Sequence, residues 1–136
     1  MRVLIDTHVL IWLLEGRPEL PAASLAVLER EIGLHGAAVS AMSFWEVAML
    51  AKRGRIALLR PVAAWRQAAL GLPRVVEVPL AGEVAVEAAQ LPGEFHADPA
   101  DRFLVATARV LGMRLATRDG RILDYARSGL VQVLPV

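Results

Sequence analysis

Residues 96–121, HADPADRFLVATARVLGMRLATRDGR, carry the pattern that decides the architecture. Asp98, Pro99 and Asp101 form a helix-start signature: an acid at the N-cap, proline at the first helical position and a carboxylate at the third. The helix runs to about Val110, and the apolar run 114–117 follows as a short buried strand. Asp119-Gly120 reads as a turn, and residues 131–134 supply one more strand. Upstream the same alternation repeats. Strands are expected at 2–5, 37–40 and 75–78, and helices at 8–15, 22–34, 42–53, 61–71 and 81–91, with Gly16, Gly54, Pro92 and Gly93 as breaks. Strands alternating with helices of this length predict an α/β fold whose parallel sheet is covered on both faces. Such sheets bind ligands beyond the carboxyl ends of their strands, where the strand order reverses.

At 136 residues the chain is expected to form a single domain, residues 1–136. Its hydrophobic content of 56% is high. No uncharged apolar run approaches the ~18 residues that cross a bilayer, and Asp6 and His8 interrupt the first apolar stretch where a signal peptide would be uniform. The expectation is a cytoplasmic protein without membrane contact, its surplus apolar surface buried in a homodimer interface. The absence of cysteine excludes disulfides, thiolate zinc sites and thiol nucleophiles. A net charge of +1 argues against wrapping nucleic acid by bulk electrostatics.

The acids are used unevenly. Glu29, Glu31, Glu83 and Glu87 have the spacing of solvated helix faces. Asp6 directly follows the first strand, Asp119 lies just beyond the 114–117 strand, Asp98 and Asp101 start the helix leading into that strand, and Glu46 sits early in the helix after the second strand. In a parallel sheet Asp6, Glu46, Asp101 and Asp119 therefore gather at one edge. Close carboxylate pairs repel by about 4 kcal/mol at ~4 Å with an effective dielectric near 20. Such a cluster either protonates or takes up a cation. Oxygen ligands without cysteine or paired histidines select Mg²⁺ or Mn²⁺ over Zn²⁺. Plainer roles exist for several of these acids. Asp6 and Asp98 suit helix capping, and Asp119-Gly120 is an ordinary turn. Glu46, between Trp45 and Val47, is the hardest to explain as a bystander. Of the histidines, His8 reads as a helix-packing or capping residue, His35 as a loop residue beside Gly36, and His96 as a loop residue before the Asp98 turn that is placed to touch the site.

The segments IDTHVLIWLL, SAMSFWEVAMLAKRGRI, FHADPADRFLVATARVLGMRLATRDGRI and VQVLPV resemble the PIN-domain family, above all the toxin members of VapBC toxin–antitoxin pairs. The resemblance runs the whole chain, with HADPADRFLVATA followed by TRD as its most specific part. It implies a three-layer α/β/α sandwich with a five-stranded parallel sheet. The acids that it implies as metal ligands and catalytic residues are Asp6, Glu46, Asp101 and Asp119, with Asp98 secondary and the Thr117 hydroxyl supporting them. It further implies an RNA substrate, cleavage to 5′-phosphate and 3′-hydroxyl ends, and an antitoxin partner.

The expected chemistry is metal-assisted phosphodiester hydrolysis by water, with Arg102, Arg118 and Arg121 flanking the acids as candidate phosphate contacts. A non-catalytic α/β binding module, or a receiver-like signalling domain, is the alternative. A receiver needs a lysine after its last strand, and Lys52 is the only lysine in the chain. A haloacid-dehalogenase-type phosphatase needs Asp-x-Asp after the first strand, where Asp6-Thr7-His8 stands.

Overall fold

The computed structural model describes residues 1–136. Strands β1 (Val3–Ile5), β2 (Ala37–Ser40), β3 (Val75–Val78), β4 (Arg114–Thr117) and β5 (Val133–Pro135) form one sheet ordered β3-β2-β1-β4-β5. Every pairing is parallel. The helices are α1 (Thr7–Glu15), α2 (Ala22–His35), α3 (Ala41–Lys52), α4 (Val62–Leu70), α5 (Gly82–Ala89), α6 (Pro99–Leu111) and α7 (Gly120–Ala126).

Strand periodicity explains the three layers. Val3 and Ile5 of β1 point into one apolar cluster and Leu4 into the other; Ala37 and Val39 of β2 oppose Ala38 in the same way. The first cluster takes in Val9, Leu10 and Ile11 of α1, Leu28 and Ile32 of α2, Phe44 and Val47 of α3, and Trp65 of α4. The second takes in Val84 and Ala88 of α5, Leu104 to Ala106 of α6, and Ile122 and Tyr125 of α7. A strand apolar on both faces is what a sheet covered on both sides requires. The expected sandwich is the one observed.

Trp65 is fully buried. Its indole N–H donates to Oε2 of Glu15 at 3.1 Å, and Glu15 also accepts from the Leu59 N–H at 3.0 Å and from Arg17 at 2.7 Å. Burial pushes the Glu15 carboxyl up, but these three donors outweigh it and hold the group below its ordinary value. The far end of α1 is thereby tied to the 57–60 loop and to α4.

Two expectations need correction. Asp119-Gly120 does not merely turn the chain, because Asp119 caps α7, accepting from the N–H groups of Arg121 at 2.9 Å and Ile122 at 3.2 Å. The Asp-Gly signal for a turn and the Asp signal for an N-cap coincide, and a seven-residue helix has too few apolar repeats to separate them. Glu46 is also less buried than its apolar neighbours imply. It is half-buried, and Trp45 beside it is exposed. No helix is long and apolar enough to cross a membrane.

Because Leu4 is wholly enclosed in the central strand, Leu4→Ala is expected to lower unfolding free energy by about 2–5 kcal/mol, measured by urea titration.

Candidate functional site

The chain lays β1, β2 and β3 outward on one side, then crosses back to place β4 on the other side of β1. The reversal in strand order therefore lies between the carboxyl ends of β1 and β4. An open groove of about 620 Å³ sits there, lined by Asp6, Glu46, Asp98, Asp101, Asp119 and Asp124, with His8, Trp12, Arg118 and Arg121 among its walls. The structure brings together every acid that the sequence singled out, and adds Asp124.

Local folding accounts for each position. Asp6 ends β1 and caps α1, its Oδ1 accepting from the Thr7 N–H at 2.7 Å. Its Oδ2 accepts from the Thr117 hydroxyl at the end of β4, at 2.6 Å. Thr117 Oγ1 in turn accepts from the Asp119 N–H at 3.0 Å, so one hydroxyl sets two of the acids. Asp98 caps α6 through the N–H groups of Ala100 at 2.9 Å and Asp101 at 3.4 Å, as its position before proline predicts. Asp101 stands in the first turn of the same helix. Asp6, Asp98 and Asp119 cap α1, α6 and α7, so three helix N-termini with their partial positive charge face the acids.

That compensation is incomplete. Burial pushes the Asp6 carboxyl up; the Thr117 and Thr7 hydrogen bonds and nearby His8 pull against it. Burial is also the largest cause for Asp101, reinforced by the charges of Asp6, Asp98, Asp119 and Glu46, and together they raise it to about 7. Hard oxygen donors that resist ionising together fit a hard divalent cation. As the side chains stand, no three of the Asp, Glu and His groups close on a single point where one ion would touch them all. Direct ligation by three of them thus requires side-chain rotation, and water-bridged ligation does not.

The arginines divide. Arg102 is not brought to the groove, because its guanidinium donates to the carbonyls of Ala88 at 2.9 Å, Phe95 at 3.0 Å and His96 at 3.3 Å. Its donors are spent on holding α5 and the 92–98 loop against α6, which corrects the expectation of a phosphate contact. Arg118 lines the groove, but it lies 5.7 Å over the Trp12 ring and donates to the carbonyls of Val136 and Glu19 and to Ser24. Arg121 alone is exposed at the rim with a single side-chain polar contact, to His96 Nδ1 at 3.3 Å. Lys52 closes α3, exposed and outside the groove.

Three further side chains border the acids: Trp12, which sequence reasoning left unassigned, His8, which it read as packing or capping, and His96, which it placed only near the site. His8 and Trp12, one helical turn apart on α1, bring their rings to 6.1 Å on the groove wall. His96 places Nε2 3.0 Å from Oδ2 of Asp101. The i, i+4 spacing is the signal that could have found the first pair; only the tertiary fold sets the His96 ring against Asp101.

The chain matches the PIN domain family profile over residues 3–128. It is 39% identical over 123 residues to Ribonuclease VapC22 of Mycobacterium tuberculosis, covering 90% of this chain and 91% of that protein. Among solved structures it resembles a toxin–antitoxin complex from Klebsiella pneumoniae (TM-score 0.66, 25% identity, 97% of this chain and 95% of that one). It also shares its fold with VapBC2 of Rickettsia felis bound to a promoter DNA fragment (TM-score 0.72, 13% identity, 100% and 99%).

Asp101 has a folded value of about 7, above its unfolded value, so its contribution to stability is complete below about pH 4 and lost as pH rises through 7. Asp6 shifts in the same direction. Melting of the metal-free protein in EDTA is expected to fall across that window. Asp101→Asn should flatten the fall, and Mn²⁺ should stabilise the wild type more above pH 7 than below pH 5, where protonation opposes binding.

Proposed function

This chain belongs to the PIN-domain family, and from that premise we propose that it is a divalent-metal-dependent endoribonuclease and the toxin of a type II toxin–antitoxin pair. The observation that carries the reading is the groove at the strand-order reversal, with Asp6, Glu46, Asp101 and Asp119 on its walls and Asp98 beside them. The 39% identity to a ribonuclease over most of both chains supports the RNA substrate. Residues 1–136 act as one domain.

Asp6, Glu46, Asp101 and Asp119 are the metal-binding and catalytic acids, with Asp98 secondary. Bound among their oxygens, Mg²⁺ or Mn²⁺ supplies neutralising charge at the scissile phosphate and acidity to a water. The protein supplies position. Thr117 and Thr7 fix both oxygens of Asp6, and Thr117 also orients Asp119 through its backbone N–H. The hydroxyls closest to Asp6 are not available as nucleophiles: Thr7 donates to Ser43 at 2.9 Å, Thr117 is committed to Asp6, and all three residues are buried. Water is the attacking group in this reading, and likeness to the PIN-domain family implies 5′-phosphate and 3′-hydroxyl ends. Arg121 at the rim suits a substrate phosphate, and the Trp12 and His8 rings offer faces on which a base can stack.

The antitoxin partner follows from the neighbouring toxin–antitoxin structure at 25% identity. Homodimerisation follows from exposed apolar side chains such as Leu34, Trp45, Leu59 and Val86. A cytoplasmic location accords with an RNA target and with the absence of cysteine.

With a structured RNA and Mn²⁺, end-labelled gels are expected to show cleavage that EDTA or Asp6→Ala reduces to the buffer blank. Glu46→Gln should cut the rate by about a hundredfold or more. Undiminished cleavage by Asp6→Ala would contradict the assignment. Co-expression with its antitoxin is expected to yield a stable, inactive complex, and expression without it to arrest growth.

A further inference from the structure

His96 lies in the loop before α6, and its ring is fixed on several sides. Phe95 packs at 4.5 Å between ring centroids, and Arg102 holds the carbonyls of residues 95 and 96 at 3.0 and 3.3 Å. The Nε2 atom is buried and has no aligned hydrogen-bond partner as the side chains stand. The one carboxylate touching it is Oδ2 of Asp101, at 3.0 Å. A buried ring nitrogen left unpaired is costly, so a slight turn of that carboxylate into line is favoured. The opposite nitrogen settles which end carries the hydrogen. Nδ1 faces two donors, the Asp98 N–H at 3.4 Å and Nη1 of Arg121 at 3.3 Å. A nitrogen facing two donors must present its lone pair, which leaves the hydrogen on Nε2, aimed at Asp101.

We propose that His96, braced by Arg121 at Nδ1, is the positioning residue for Asp101, its Nε2–H donating to Oδ2 and holding that carboxylate in the orientation in which it binds the divalent ion. The role rests on the reading of the groove as a metal-binding nuclease site. It is that of an outer partner to a ligating carboxylate, whose loss typically weakens metal affinity by about 10–100-fold. Arg102, a candidate phosphate contact in the sequence, serves this arrangement instead by holding the loop that carries the histidine.

Two measurements test it. Long-range ¹H–¹⁵N spectra of the metal-free wild-type protein are expected to show His96 with a protonated Nε2 and an unprotonated Nδ1; the reverse tautomer overturns the proposal. Calorimetric Mn²⁺ titration of wild type, His96→Ala, His96→Gln and Asp6→Ala supplies the second. His96→Ala is expected to bind Mn²⁺ about tenfold or more weakly, and His96→Gln, whose amide N–H reaches the same oxygen, to recover most of the loss. The two variants should melt at similar temperatures, which a merely structural role would not separate from affinity. If wild type binds Mn²⁺ but His96→Ala matches it, the positioning role alone fails. If wild type binds no better than Asp6→Ala, the metal-site reading fails and takes this role with it.

Discussion

Asp6 sits almost wholly out of water at the carboxyl end of the central strand. Its two oxygens are met by a backbone N–H from its own helix and by the Thr117 hydroxyl of the strand that arrives last to its side. That hydroxyl joins residues 111 positions apart and bridges the reversal in strand order. Without the crossover that sets β4 against β1, Asp6 would keep only its local Thr7 partner and Asp119 would lose the Thr117 hydroxyl that its N–H meets. The register between β1 and β4, which pairs Ile5 with Ala116, is therefore the constraint from which the groove follows. The two apolar clusters hold that register, because a one-residue slip would turn Leu4 and Leu115 to the wrong layer.

The groove is built under electrostatic tension. Three helix N-termini offset part of the negative charge, and two hydrogen bonds ease Asp6, yet Asp101 still holds its proton up to about neutral pH. Stability is exchanged here for readiness, since a site whose acids resist ionising together gains most when a cation arrives. The Thr7 and Thr117 hydroxyls beside Asp6 are both committed to structural hydrogen bonds, one to Ser43 and the other to Asp6.

The fold was legible because its strands are short apolar runs with little else in them. The boundaries of β2, β3 and β4 match the sequence reading to the residue, since each is bracketed by proline, glycine or a capping residue. Helix α7 was not legible: Asp119 signals a turn and a cap with the same letters. The acids were legible from their places after strands, given a parallel sheet. The roles of the cations were not. Nothing in the order of residues distinguishes Arg102, spent on three carbonyls, from Arg121, exposed at the rim. That difference is made by the 92–98 loop, whose course depends on tertiary packing. His96 was obscured for the same reason: its partner Asp101 lies on the next helix, within one turn of Asp98, and only the folded loop turns the ring back toward it.

The central claim is that divalent metal settles among these oxygens, drawing in side chains that do not close on a common point as they stand. Anomalous difference density from a crystal soaked in Mn²⁺ tests it most directly. The account predicts a peak in the groove with Asp6 and at least two of Glu46, Asp101 and Asp119 drawn toward it, directly or through water. A fully occupied groove without such a peak, or manganese bound only elsewhere on the surface, would contradict it.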